Sequence, residues 1–448
     1  MNKYQELRKK YNTFIYDKYQ MEEIENSYII TYYFRINNLI EFTPKLKINK
    51  SIIRKNDEMT KYIIFNIGMI ELISYWKATC SKNVIINAGY LNNEQIKWFK
   101  KLYFLGLGEL FYKNNINTSI DEFMEIVCTK EKNNIFIEKT EKKGNLIPIG
   151  GGKDSCVTLE ILKSIKEENT CFMINPKEEM INCINTAGYE NSLAVTRILD
   201  KKIIELNEQG FINGHTPFSS LVAFISYLIA YETDKENIIL SNESSANEET
   251  IIGTNINHQY SKTYEFEKDF NNYIEKYFVK EIKYFSILRP LKEIQIAYIF
   301  SKYEKYHQIF RSCNLGSKNK EWNWCCNCPK CLFIYIILSP FLSKEQLIKI
   351  FKEDLFEKNN LLEEFKQLIG KTPTKPFECV GSVEEVIYSL EKVIDNKKYE
   401  ELPYLLKYYK ENIKEKIINK NILNELNNEH NLNDKFLSLL KNEVDINV

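Results

Sequence analysis

The run Gly150-Gly151-Gly152-Lys153-Asp154-Ser155 follows the short apolar stretch 146–149 and opens a segment of helical periodicity, 154–165. A glycine turn between a strand end and a helix N-terminus is suited to holding phosphate. Without Cβ atoms the backbone can approach a pyrophosphate closely, and its free amides point at the oxygens. The helix dipole adds about half a positive charge at that point. Lys153 can neutralise phosphate, Ser155 can donate a hydroxyl, and Asp154 can orient Mg2+ or cap the helix. The plainer alternative is a glycine-rich turn without a ligand. Two competing phosphate motifs fail. No three spaced glycines of a dinucleotide fingerprint follow a strand, and Gly370-Lys371-Thr372 has Phe365 where a Walker A loop needs glycine.

Four of the eleven cysteines, Cys313, Cys325, Cys328 and Cys331, read C-x11-C-x2-C-x2-C, with Cys326 spare beside them. Four thiolates so spaced can close a tetrahedral Zn2+ site. The same ligands can hold an iron–sulfur cluster, or stay reduced in a core. Three polar segments, 213–219, 241–248 and 258–262, carry more polar residues than a core needs. The second directly follows a strand-like run, and ligands of a parallel sheet bind beyond the C-terminal strand ends. Glu243 and Glu248 can bind Mg2+ or a substrate amine there, or serve as caps. Asn242 and Asn247 suit a polar ligand. Of only four histidines, His215 and His258 fall in these segments, as proton-transfer groups or as loop caps.

An alternation of short strands and helices has to position these groups. Apolar runs at 146–149, 171–174, 202–205, 237–240 and 284–287 read as strands. Helical periodicity falls at 154–165, 191–199, 219–231, 266–277 and 291–300. The expected fold is α/β, a doubly wound parallel sheet with helices on both faces. Residues 1–140 read as an α+β N-terminal domain. It holds a hairpin across 28–48 around Asn37-Asn38, helices at 62–76 and 95–112, and a strand at 84–86. Residues 141–335 are expected to form a catalytic domain with the phosphate loop and the cysteine cluster, and 336–448 a charged helical C-terminal region.

Lys plus Arg equals Asp plus Glu at 61 each in 448 residues, so no overall field draws the chain to nucleic acid or anionic lipid. No window approaches the roughly 18 apolar residues of a membrane span. The first twenty residues are charged and lack the apolar segment of a secretory signal. Unevenly placed cysteines fit reduced thiols and a cytoplasmic address. The sequence does not set an oligomeric state.

The glycine loop resembles the PP-loop of the ATP pyrophosphatase superfamily, an adenine nucleotide α-hydrolase-like fold, where Ser-Gly-Gly-x-Asp-Ser ends the first strand. Here Gly150 replaces the leading serine and removes one hydroxyl contact. PP-loop enzymes that make 7-cyano-7-deazaguanine are similar in carrying a downstream Cys-x2-Cys-x2-Cys run with one earlier cysteine. A longer series of motifs occurs in order. It runs Ser74-Tyr75-Trp76-Lys77, Gly106-Leu107-Gly108-Glu109, the loop itself, Gly214-His215-Thr216-Pro217-Phe218-Ser219 and the segment 240–248. His258-Gln259-Tyr260-Ser261-Lys262, Leu288-Arg289-Pro290-Leu291, Cys328-Pro329-Lys330-Cys331-Leu332 and Phe377-Glu378-Cys379-Val380-Gly381 follow. Across about residues 60–390 this order resembles the MurL family, the UDP-N-acetylmuramoyl-L-alanyl-L-glutamate epimerases of bacterial cell-wall synthesis.

That resemblance implies ATP and Mg2+ as cofactors and a UDP-linked muramoyl dipeptide as the partner. Its terminal L-Glu would be inverted through an acyl adenylate, with AMP and pyrophosphate released. Gly150, Gly151, Gly152, Lys153, Asp154 and Ser155 would bind ATP, and Glu243 and Glu248 would hold Mg2+ or position substrate. His215, His258 and Lys262 would form the proton-transfer pool, and Arg289, Asn242 and Asn247 would bind substrate. Other outcomes stay open. An amine could capture the adenylate, giving an amide or nitrile ligase, or a tRNA base could be adenylated and thiolated. A nucleotide sensor with a degenerate loop is a third reading, which the intact Lys-Asp-Ser opposes.

Overall fold

The structure, a computed structural model, describes residues 2–131, 141–251, 253–254, 256–313, 324–413, 419 and 421–444. Its strands are β1 (Thr13–Ile24), β2 (Ser27–Ile36), β3 (Ile40–Phe42), β4 (Lys45–Asn49), β5 (Asn83–Ile86) and β6 (Glu125–Cys128). They continue with β7 (Asn145–Pro148), β8 (Asn169–Ile174), β9 (Ser192–Ile198), β10 (Asn237–Leu240) and β11 (Lys283–Ser286). Among the described residues they form one mixed, mostly parallel sheet, ordered β11-β10-β7-β8-β9-β4-β2-β1-β5-β6, with β3 paired to β2.

The strands before residue 140 and those after it meet where β4 pairs antiparallel with β9, from Lys45 opposite Ile198 to Ile48 opposite Val195. The expected hairpin closes at Asn37-Asn38, with Asn38 at φ +59°, a conformation asparagine tolerates. A longer one, β1 with β2, closes at Glu25 and Asn26. The periodic segments at 62–76 and 219–231 form the helices Glu58–Trp76 and Phe218–Glu232, which pack on each other. Both are apolar nearly all round, as buried helices are.

Two adjacent assignments exchange places. The segment 191–199, expected as a helix, is strand β9, and the expected strand 202–205 is the helix Lys202–Glu208. The physical reason is burial period. Ile203 and Leu206 are buried three residues apart while Ile204 is 51% exposed, which is helical spacing. In β9 the β-branched Val195, Thr196 and Ile198 favour a pleated strand. The helix Glu178–Ala187, not read from sequence, supplies the crossover between β8 and β9.

Side chains alternate along the parallel strands into two cores. Leu146, Phe172 and Ile238 enter the one that holds the N-terminal strands and the helix Phe218–Glu232. Ile147, Cys171, Met173 and Ile239 enter the other, with the loop helix and the C-terminal helices. Three buried asparagines lock the register at the N-terminal strand ends. Asn237 Nδ2 donates to Asn145 Oδ1 at 3.0 Å, and Asn145 Nδ2 donates to Asn169 Oδ1 at 2.7 Å. A one-residue slip would break both buried bonds. From β7 the chain proceeds through β8 to β9 on one side, then places β10 and β11 on the other. The C-terminal end of β7 is therefore a switch point, where a crevice opens.

Candidate active site

The chain leaves β7 into the glycine loop and enters the helix Lys153–Ile161 without a side-chain cap. Gly151 has φ +80°, and a Cβ there would meet Glu179 Cγ at 2.7 Å. A Cβ on Gly152 would lie 2.8 Å from Ser312 Oγ. Position 150 is roomier, since its Cβ would find only Ser155 Oγ, at 3.8 Å. The Gly150 amide donates to that hydroxyl at 3.0 Å, so Ser155 closes the turn on itself.

Lys153 turns inward, fully buried, and bonds to both Asp154 and Glu293. Glu293 begins the helix Glu293–Ser301, and Glu243 follows β10. One carboxylate oxygen from each of Asp154, Glu243 and Glu293 lies within 4.8 Å of the others. Burial alone would depress the Lys153 pKa, but Asp154 and Glu293 outweigh it and hold the ammonium above its ordinary range. Glu293 is pushed well up, by burial first; Lys153 opposes the shift, while Asp154 and Glu243 add to it. Three carboxylates around one ammonium leave negative charge that a hard, oxygen-seeking divalent cation fits.

A cleft of about 360 Å³ opens over the loop, lined by Gly150, Asp154, Ser155, Asn242, Lys262 and Cys379 among others. Thr158 Oγ1 donates to Ser241 Oγ at 2.8 Å, which ties the loop helix to the segment after β10. That segment divides. Asn242 lines the cleft and Glu243 joins the acid group, whereas Asn247 accepts from the Tyr264 amide at 2.9 Å and Glu248 pairs with Lys375. Neither Asn247 nor Glu248 lines the cleft.

Arg289 does not line it either. Its guanidinium is fully buried, with Nε and Nη2 on Glu267 at 3.3 and 3.1 Å. Nη1 donates to the Glu243 carbonyl at 2.7 Å and Nη2 to the Lys262 carbonyl at 2.7 Å. Its donors hold two site segments in place from behind.

His215 and His258 come together, with ring centroids 4.2 Å apart, outside the cleft lining. His258 Nδ1 is 2.6 Å from Glu109 Oε2. Against the cost of burial, hydrogen bonds from His258 and Lys113 hold the Glu109 carboxyl down at about 2. Burial, with His258 adding to it, lowers the His215 imidazole to about 3, so that ring is neutral. Lys262 faces the cleft and donates to Cys379 Sγ at 3.1 Å.

The four cysteine sulfurs also converge, each within 4.8 Å of the others. Cys328 and Cys331 sit at the start of the helix Pro329–Leu338, and Cys325 Sγ is 3.5 Å from Cys331 Sγ. Cys326 turns away and donates to the Phe351 carbonyl at 3.2 Å. Hydrogen bonds to Cys313 and Cys328, then burial, push the Cys331 thiol far up. Crowded thiols resist ionising unless a cation is shared among them, as at a tetrahedral thiolate site.

Sequence reasoning did not assign Glu293, Glu109 or Cys379 a role. The last two lie inside quoted motifs, but Glu293 carried no signal beyond its place at a helix start.

Residues 5–287 match the MurL N-terminal domain, and residues 309–423 match the MurL C-terminal domain. The chain belongs to the MurL family. Two MurL relatives carry the name UDP-N-acetyl-alpha-D-muramoyl-L-alanyl-L-glutamate epimerase. The protein of Xanthomonas oryzae pv. oryzae is 31% identical over 325 residues, 71% of each chain. That of a Micromonospora species is 30% identical over 335 residues, 74% of each. No solved structure matches the chain significantly. No helix among the described residues is long and apolar enough to cross a membrane.

Proposed function

We propose that this chain inverts the terminal L-Glu of UDP-N-acetylmuramoyl-L-Ala-L-Glu to D-Glu through an acyl adenylate, as a PP-loop enzyme of peptidoglycan synthesis. The names of its relatives support the substrate. The observation that carries the mechanism is a single cleft in which the glycine loop, Asp154, Asn242 and Lys262 face one another. A nucleotide phosphate and a second, polar ligand would meet there.

The chemistry requires that meeting. An ionised carboxylate suppresses loss of its own α-proton, since deprotonation puts a second negative charge beside the first. Attack of that carboxylate on the α-phosphate of ATP expels pyrophosphate and gives a mixed anhydride, whose carbonyl can delocalise the carbanion as an enolate. Reprotonation on the opposite face inverts the centre, and water releases AMP. The loop amides would hold phosphate, with Lys153 buried as the counter-charge to Asp154 and Glu293 and not lining the cleft. Asp154, Glu243 and Glu293 would hold Mg2+, which offsets phosphate charge when bound. His258, oriented by Glu109, and the neutral His215 stand behind the cleft as a proton relay.

Incubation with ATP, Mg2+ and the muramoyl dipeptide should yield AMP together with D-Glu after hydrolysis. AMP without inversion would point to a ligase deprived of its amine, and no AMP at all would remove the reading.

Cys313, Cys325, Cys328 and Cys331 would hold a structural Zn2+. Purified protein should then carry about one zinc per chain, and Cys328→Ser should lose it and unfold at lower temperature. Iron with visible absorbance would replace zinc in this assignment, and absence of both metals would end it.

A further inference from the structure

We infer that Cys379, held against Lys262, is the base that removes the α-proton of the adenylated glutamate. This assignment rests on the function proposed above and names the group that breaks the Cα–H bond.

Among the side chains in the proton pool, only Lys262 lines the cleft, and its surroundings make it a cation and not a base. Its ammonium is kept protonated chiefly by Cys379 and, against burial, by Glu243 as well. A charged ammonium has no lone pair to accept a proton. What it touches does. Cys379 Sγ lies 3.1 Å from Lys262 Nζ, and both line the cleft that Asp154 and Ser155 also line. A lysine at hydrogen-bond distance is the setting in which a cysteine sulfur acts as an anion.

The backbone that presents the sulfur is fixed on several sides. The Val380 amide donates to the Glu378 carbonyl at 2.9 Å, which puts Cys379 at the apex of a tight turn. Lys330 donates to the Cys379 carbonyl, Gln259 to the Val380 carbonyl at 3.3 Å, and Lys375 to the Gly381 carbonyl at 3.1 Å. Three side chains thus anchor the carbonyls of residues 379–381 and fix where the turn presents the sulfur.

In the step, the Cys379 thiolate takes the α-proton. The Cα–H bond breaks, the S–H bond forms, and the freed pair moves into the acyl system as an enolate. A general acid on the opposite face then supplies a proton to Cα, and the enolate pair returns to make the new C–H bond. Solvent exchange resets both groups. Lys262 is a positioning residue that holds the sulfur in place.

The test uses the intact chain with MgATP and the muramoyl dipeptide in D2O, following deuterium at the α-carbon and exchange of labelled pyrophosphate into ATP. Cys379→Ser and Cys379→Ala should keep peptide-dependent pyrophosphate exchange, which also reports a folded site. Both should lose deuterium uptake by about 100-fold or more. Lys262→Arg should retain more uptake than Lys262→Met, a difference that simple packing would not produce. Uptake by Cys379→Ala at the wild-type rate would overturn this assignment alone. Absence of uptake in the wild-type protein would overturn the epimerase function, and the assignment with it.

Discussion

Lys153→Ala should lower peptide-dependent AMP release by about three orders of magnitude. Two losses coincide in this one substitution. The loop loses its buried positive charge, and Asp154 and Glu293 lose the ammonium bonded to both of them. The three carboxylates would then repel one another in a buried site. Glu293, already pushed up by burial and by its acidic neighbours, would take a proton more readily. A protonated carboxylic acid is a poor ligand for a divalent cation, so loss of the lysine also weakens the acid group as a Mg2+ site. Lys153→Arg should recover little, because the ammonium is fully enclosed and a guanidinium is larger. Direct measurement of AMP decides the matter: near-normal release from the alanine variant would remove the loop from the mechanism.

The second large effect is structural. Arg289→Met should destabilise the chain by about 3–5 kcal/mol, the cost of stranding one partner of a buried ion pair. Glu267, buried beside it, would keep a bond from Asn431 Nδ2 at 2.8 Å but lose its counter-charge. Activity should fall as well, because the same guanidinium bonds the carbonyls of Glu243 and Lys262. The pairing with Glu267→Met separates the two consequences. Replacing both charges by apolar groups should restore much of the urea midpoint, as buried pairs often permit. It should not restore AMP release, since the bonds from Arg289 to the carbonyls of Glu243 and Lys262 are still missing. A double variant with full activity would make Arg289 a bystander.

The order of strand and helix around the loop was legible because that stretch obeys local rules. A buried strand, three glycines and a buried helix follow one another with little tertiary override. The exchange of roles between 191–199 and 202–205 shows where this fails. Both segments hold apolar residues at spacings that suit either period, and partner strand β4, far away in sequence, settles the matter. The site divides along the same line. The loop residues are consecutive, so their grouping at a strand end and helix start shows in the sequence. Glu293, by contrast, reaches the loop only because its helix start packs against Lys153, 140 positions earlier in the chain. Arg289 illustrates the opposite error: a guanidinium in a motif suggests a substrate clamp, and burial turns its donors inward. The cysteine spacing was readable, since chelating geometry depends mainly on short loops.

The antiparallel pairing of β4 with β9 has a consequence for the order in which the protein can be made. Synthesis runs from the N-terminus, so the hairpin of β1 and β2 and its neighbour β4 leave the ribosome well before β9 exists. Until then β4 presents an open row of amides and carbonyls, the kind of edge that pairs with whatever strand is at hand. The glycine loop emerges during this interval, ahead of the strand that joins its half of the sheet to the finished half. Lys45 and Lys47, exposed on that waiting edge, are the type of residue that discourages association between nascent chains. Assembly of the crevice at the end of β7 is thus a late event, completed only after the earliest and latest strands of the sheet have found their places.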